Sequence, residues 1–129
     1  MADQSYFGSP AAGTPTAPGS FLRIANLPSV SVAAGLNLHA FAGDDVMISF
    51  ARYDPGVEAP LHAHVEEQLL IVLEGEFEVE VGDETRILHV GDAAHMPPWV
   101  PHRVRAGAEG GYQLDVFSPP RAALLAALG

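Results

Sequence analysis

The chain has 129 residues, a length that can enclose one hydrophobic core, and 48 % of its residues are apolar, which excludes a disordered or fibrous protein. Its net charge of −10 opposes contact with phosphate backbones, so we expect no nucleic-acid partner. Cysteine is absent, which excludes disulfides and thiolate chemistry and leaves histidine, carboxylate and amide groups as candidate metal ligands.

Residues 1–20 are rich in Ala, Gly, Pro, Ser and Thr, and this composition predicts a flexible N-terminal arm, because such a segment cannot bury enough apolar surface to offset the entropy of ordering. The alternative that this arm crosses to a second subunit stays open. The segment lacks the basic start and apolar run of a secretory signal, and we find no stretch apolar enough to span a membrane. We therefore expect a cytoplasmic protein without a membrane partner, with residues 21–129 as its one folded domain.

From position 21 onward, short apolar runs alternate with turn residues about every ten positions, a pattern typical of an all-β sandwich or barrel. The turn residues include Glu74-Gly75 and the segment 107–111. Between the turns we predict strands over residues 46–53, 68–73, 76–81, 86–90 and 111–117.

Two of these runs predict different surroundings. Residues 76–81 alternate strictly between glutamate and apolar side chains, which predicts a strand with one face in water. Residues 69–73 are apolar on both faces, as expected for a strand covered by a second sheet or by a subunit interface, so we expect a homodimer. After two prolines, the Ala- and Leu-rich segment 121–128 predicts one short C-terminal helix.

The segment 56–75 contains His62 and His64, which an extended strand places on the same side, within reach of one metal ion. A second segment, 91–102, ends in His102. Together, over residues 35–121, they resemble the paired motifs of the cupin superfamily, G-x5-H-x-H-x3-E-x6-G and G-x5-P-x-G-x2-H. This resemblance implies a cupin double-stranded β-helix, also called a jelly-roll barrel.

The resemblance further implies one divalent metal ion, Zn, Ni, Mn or Fe, held by four ligands: His62, His64, Gln68 and His102. Gln68 stands where the superfamily has Glu, and the neighbouring Glu67 is the competing candidate for this ligand. The six residues between Gln68 and the closing glycine of the motif favour Gln68. Trp99 stands where the second motif has Gly, so we expect a bulky aromatic side chain at the barrel mouth.

Among cupins, the chain is similar to the KdgF-like proteins of pectin and alginate breakdown, which convert 4,5-unsaturated monouronates to linear keto sugars. The similarity lies in the H-x-H pair, the Gln ligand and a late D-x-F-x3-R pattern, matched by Asp115, Phe117 and Arg121. It implies that Asp115 is the general acid or base and that Arg121 binds the carboxylate of a small anionic substrate. The candidate substrate contacts are Phe117, Gln113 and Trp99.

Three functions stay open on the sequence alone. The first is a metal-dependent isomerase or lyase acting on a small oxygen-rich carboxylate. The second is an iron-dependent cupin dioxygenase, and the third is a non-catalytic cupin that binds a small ligand. A neutral amide ligand leaves more positive charge on the metal than a carboxylate does, which favours the Lewis-acid chemistry of the first function.

Overall fold

The computed structural model describes residues 4–8 and 13–129. The predicted arm, residues 1–20, lies partly outside these described residues, and its flexibility stays a prediction. In chain order the elements are α1 (Gln4–Phe7), a 3-10 turn (Ile24–Asn26), β1 (Ser29–Ala33), β2 (Leu36–Ala42), β3 (Met47–Tyr53), β4 (Glu58–His62), β5 (Glu67–Val81), β6 (Glu84–Leu88), β7 (Ala93–Met96), β8 (His102–Ser118) and α2 (Ala122–Leu128).

The strands pair in the order β1-β2-β3-β8-β5-β6, with β4 added to β8 and β7 added to β5, and every pairing is antiparallel. This arrangement and the C-terminal helix α2 confirm the predicted all-β class with one short terminal helix. Among the described helices, none has both the length and the apolar character needed to cross a membrane.

The predicted turns at Glu74-Gly75 and at 107–111 are wrong, because β5 and β8 run through both segments as long paired strands. The glycines mark irregularities in the pairing, where the register shifts between residues 72 and 77. Gly75 and Gly110 both have positive φ, and a Cβ on Gly75 would lie 2.4 Å from the carbonyl oxygen of Gly110. The glycines therefore permit a close backbone approach at a bend instead of ending the strands.

The bend changes which side chains point inward. In β8 the buried positions are even-numbered from 102 to 106 and odd-numbered from 111 to 117, and β5 shows the matching change from 68–72 to 77–79. A strand alternates its faces with a period of two, so an irregular residue is needed to change the inward set. Each half of β5 and of β8 therefore points one set of side chains into the barrel interior. The core there is formed by Leu36, Ala51, Tyr53, Leu70, Val72, Phe77, Val79, Leu88, Met96, Val104 and Ala106.

The outside of the β3-β8-β5 sheet carries apolar side chains that are only partly covered. Leu69 is 44 % exposed, so the outer side of the run 69–73 is open in the single chain. Val116 lies between Ile48 and Leu69 in the pairing register, and the neighbouring row has the same character. We call this surface the outer apolar face; its members are Ile48, Phe50, Leu69, Ile71, Leu114 and Val116.

Candidate metal centre

Three histidines meet inside one end of the barrel. His62 ends β4 and is paired in register with His102, the first residue of β8. His64 lies between β4 and β5, where its carbonyl oxygen accepts a hydrogen bond of 2.9 Å from the backbone N–H of Trp99. Their candidate ligand atoms all lie within 4.8 Å of one another, so the three residues form a group that could hold a metal ion.

Each imidazole is oriented by a backbone carbonyl. The Nδ1 atoms of His62, His64 and His102 lie 2.6, 2.9 and 2.9 Å from the carbonyl oxygens of residues 60, 66 and 100. A carbonyl oxygen can only accept, so each Nδ1 carries the proton and each Nε2 keeps a free lone pair. The Nε2 atom of His102 is buried and has no hydrogen-bond partner among the described residues. Three converging lone pairs suit a dication.

The surroundings also favour the neutral form of two of these imidazoles, His64 and His102. Burial lowers the pKa of His102 to about 4, with smaller contributions from His62 and His64, although the hydrogen bond to the Val100 carbonyl opposes the shift. Burial and the nearby Arg121 guanidinium lower the pKa of His64. A neutral imidazole is the form that binds a metal, so His64 and His102 are in the binding form at neutral pH.

The two candidates for the fourth ligand face opposite sides of β5. Gln68 is buried, and its Oε1 atom lies 3.2 Å from Nε2 of His64. Glu67 is half-exposed, and its carboxylate lies 2.6 Å from Nε2 of His95 on the outside of the barrel. The structure therefore brings Gln68, and not Glu67, to the histidine group.

Asp115 fixes the direction of the Gln68 amide. The Nε2 atom of Gln68 donates to Asp115 at 2.9 Å, and the amide of Gln113 donates to both carboxylate oxygens at 3.1 and 2.9 Å. Because Asp115 takes the NH2 group of Gln68, the amide oxygen is left facing the histidines. Burial raises the pKa of Asp115 to about 6, against the opposing effect of hydrogen bonds from Gln113 and Gln68. Such a carboxyl group can exchange a proton near neutral pH.

Glu66 is a site residue that the sequence analysis missed. Its buried carboxylate lies 3.6 Å from Nδ1 of His64 and 3.4 Å from Arg121, and it accepts a 3.0 Å hydrogen bond from the backbone N–H of Ala122. Burial raises its pKa, but the backbone hydrogen bonds and Arg121 outweigh that effect and lower it. Glu66 thus ties the histidine loop to the start of α2. Glu66 lies two residues from both His64 and Gln68, a spacing that places side chains on the same side of an extended chain. That spacing was the available sequence signal.

The centre opens into a cavity of about 330 Å³. Of the predicted substrate contacts, Gln113 and Phe117 line this cavity, as do Asp115 and Arg121. Trp99 is 65 % exposed with φ of 65°, and it is not among the lining residues within 13–129. Its contact with a substrate stays a prediction. The polar lining residues are Ser49, Tyr53, His62, Gln68, His102, Gln113, Asp115 and Arg121.

Comparison with known proteins places this geometry in a family. Residues 49–114 match the cupin domain model. The pectin degradation protein KdgF of Dickeya dadantii (strain 3937) is 36 % identical over 83 residues, which are 64 % of this chain and 76 % of that protein. The structure of KdgF from a Halomonas species is 30 % identical and superposes with a TM-score of 0.77, covering 82 % of this chain and 98 % of that one.

A second solved structure gives the same result. The RmlC-like cupin from Shewanella frigidimarina NCIMB 400 is also 30 % identical, with a TM-score of 0.77 over 82 % of this chain and 96 % of that chain. The residues matched by the cupin domain model include His62, His64, Gln68 and His102, and the match ends one residue before Asp115. The chain therefore belongs to the cupin family and, within that family, is similar to KdgF.

Proposed function

We propose that this chain is a metal-dependent isomerase that opens the ring of a 4,5-unsaturated monouronate, with the metal held by His62, His64, His102 and Gln68. The observation that carries the proposal is the shared cavity: three of the proposed metal ligands (His62, Gln68 and His102), one buried carboxyl group and one arginine all lie on its wall. Similarity to KdgF supports the substrate class. These nitrogen and oxygen donors suit a divalent ion of Zn, Ni, Mn or Fe.

The residues fit the proposed metal by their donor chemistry. Three imidazole nitrogens and one amide oxygen bring no negative charge, so a dication held there would be a stronger Lewis acid toward a sugar oxygen than one held with a carboxylate ligand. The hydrogen bonds from Nδ1 to backbone carbonyls hold the rings in the binding tautomer. Asp115 holds the amide of Gln68 in the matching direction.

Asp115 is the proposed proton carrier. Ring opening is an isomerisation: the anomeric hydroxyl loses a proton, C1 becomes an aldehyde as its bond to the ring oxygen breaks, and the resulting enolate takes a proton at C4 to become a ketone. One proton leaves oxygen and one reaches carbon, so no co-reactant is needed. A single carboxylate at the cavity wall can take the first and supply the second.

Arg121 is the proposed clamp for the substrate carboxylate. It lines the cavity, and its contact with Glu66 is 3.4 Å, made through one of its nitrogens. A guanidinium has five N–H donors, so others remain for a bidentate bond to a second carboxylate. The cation also offsets the net charge of −10, which repels an anionic substrate.

We also propose a homodimer built on the outer apolar face. Two chains with a net charge of −10 repel each other, and this face offers six uncharged side chains in two adjoining rows. An open apolar sheet face of this kind is typical of a subunit interface. The cytoplasmic location remains a prediction.

The metal proposal predicts that replacing His62, His64 and His102 together by Ala abolishes binding of Zn²⁺, while the barrel keeps its circular dichroism spectrum. His89→Ala is the matched control, because His89 is exposed and lies away from the centre. Elemental analysis after dialysis against Zn²⁺ measures the outcome. Equal zinc content in the triple variant and the parent contradicts the assignment.

The catalytic proposal predicts that the metal-loaded protein accelerates loss of the ultraviolet absorbance of a 4,5-unsaturated monouronate. Asp115→Asn lowers kcat by roughly a hundredfold or more, because the proton carrier is lost. Arg121→Lys mainly raises KM, because a point charge replaces a planar fork. Asp83→Asn, in the exposed turn between β5 and β6, is the control and keeps the parent rate.

Other outcomes of this assay separate the alternatives. No acceleration with any metal of the set contradicts the ring-opening proposal. Uptake of dioxygen by the iron-loaded protein indicates the dioxygenase instead, and tight binding of a uronate without turnover indicates a binding protein. An Asp115→Asn variant as fast as the parent removes the role of Asp115 and leaves the metal centre standing.

The dimer proposal predicts that the parent sediments at twice the chain mass and that Leu69→Arg sediments at the chain mass, because a charge in the interface costs desolvation. Ile87→Arg is the control, since Ile87 is similarly exposed on β6, away from the outer apolar face. A monomeric parent at micromolar concentration refutes the proposal.

A further inference from the structure

We propose that Ser49 and Gln113 form a hydroxyl-binding subsite in the cavity, which fixes a neutral ring hydroxyl of a sugar acid. The choice of a sugar acid rests on the proposed function. The subsite itself rests on two buried polar atoms that the metal centre does not use.

The first of these atoms belongs to Ser49. This residue lies on β3, is 1 % exposed and lines the cavity, and its Oγ atom has no hydrogen-bond partner among residues 4–8 and 13–129. Its neighbours on the inner face of β3 are Met47 and Ala51, which are apolar and buried. The Ser49 hydroxyl therefore makes no stabilising hydrogen bond to the described residues around it. An Ala side chain would pack at the same position without a buried polar atom.

The second atom is Oε1 of Gln113. This residue is also 1 % exposed, and its NH2 group is committed to the two carboxylate oxygens of Asp115. The amide oxygen is left on the cavity wall without a partner among the described residues. Asp115 therefore sets the direction of both glutamine amides, turning Gln68 toward the histidines and leaving Gln113 with a free acceptor.

The pairing register places this subsite beside the metal centre. Ser49 is opposite Asp115, and the next inward residue of β3, Ala51, is opposite Gln113. Asp115 thus has Ser49 opposite it on β3, Gln113 two residues away on its own strand β8, and Gln68 hydrogen-bonded to it from β5. A ring held at the metal centre can extend along β3 and bring one of its hydroxyls to this pair.

The two atoms together select the chemical group. Ser49 Oγ can donate a hydrogen bond, whereas Gln113 Oε1 can only accept one. A hydroxyl group accepts the first bond and donates the second, so it satisfies both. A carboxylate has no proton for Oε1 and is repelled by the neighbouring Asp115. The adjoining lining residues Leu36, Leu38 and Val104 are apolar and suit the C–H surface of a sugar ring.

An unpaired buried hydroxyl lowers stability, so the subsite predicts opposite effects on folding and binding. Removal of Oγ by Ser49→Ala should raise or preserve the thermal unfolding midpoint of the metal-loaded protein and weaken binding of a hydroxylated ligand. If Ser49 had only a structural role, the same change would lower the midpoint. Ser31→Ala is the matched control, since Ser31 lies exposed on β1 with its Oγ bonded to the Ala33 carbonyl.

The experiment is calorimetric titration of the zinc-loaded parent, Ser49→Ala and Ser31→Ala with two ring acids. D-galacturonate carries ring hydroxyls, and tetrahydropyran-2-carboxylate has the same ring and carboxylate without them. We expect Ser49→Ala to weaken galacturonate binding by roughly five- to tenfold and to leave the second ligand unchanged. The control should bind both ligands as the parent does.

Three results overturn the subsite: equal affinity of the parent for both ligands, equal weakening of both ligands by Ser49→Ala, or no effect of Ser49→Ala on galacturonate. Its failure is separable from that of the proposed function. Ring opening with a Ser49-independent affinity removes the subsite alone. A Ser49-dependent preference for galacturonate in a protein that opens no unsaturated uronate removes the proposed function and supports the subsite.

Discussion

The antiparallel pairing of β5 with β8 is the constraint on which the rest of the structure depends. Gln68 near one end of β5 is opposite Phe117, and Val81 at the other end is opposite His102. A straight ladder of this length would separate the two ends by tens of ångströms, at about 3.3 Å per residue. The bend at Gly75 and Gly110 turns the ladder around the barrel, so that His102 and Asp115 line one cavity.

The cavity end of the barrel is organised by acceptors that orient donors. Backbone carbonyls accept a hydrogen bond from Nδ1–H of each histidine, and Asp115 accepts hydrogen bonds from the NH2 groups of two glutamines. Each histidine or glutamine that donates to one of these acceptors keeps a lone pair on its other polar atom, Nε2 or Oε1. Buried polar groups normally find partners within the protein, so unused lone pairs on a cavity wall indicate a ligand. The chemical groups that a ligand meets on the cavity wall are therefore set by hydrogen bonds between the lining side chains and the acceptors behind them.

Local sequence patterns were sufficient for much of the fold. Apolar alternation in 76–81 predicted a strand, and the H-x-H spacing predicted two of the grouped histidines. The six-residue spacing between Gln68 and the closing glycine of the motif separated Gln68 from Glu67. Each of these features depends on residues close together in the chain, where a strand period of two fixes the face.

Features that depend on distant residues were out of reach. Glycines in 107–111 predicted a turn, because composition does not distinguish a glycine at a turn from one required by close contact with a neighbouring strand. Ser49 gave no signal, since only the folded barrel shows that this residue is opposite Asp115 and that its hydroxyl has no hydrogen-bond partner among the described residues. The contact between the backbone N–H of Trp99 and the carbonyl oxygen of His64 likewise gave no sequence signal, while the predicted contact of the Trp99 side chain with a substrate stays a prediction.

The central claim is that three Nε2 atoms and the amide oxygen of Gln68 hold one metal ion. Anomalous diffraction from crystals grown with Zn²⁺ tests it most directly. We expect one peak per chain at about 2.0–2.2 Å from Nε2 of His62, His64 and His102, with Oε1 of Gln68 as the fourth protein ligand. A peak bound to Glu67 and His95 instead, or no ordered peak at the three histidines, would contradict the account.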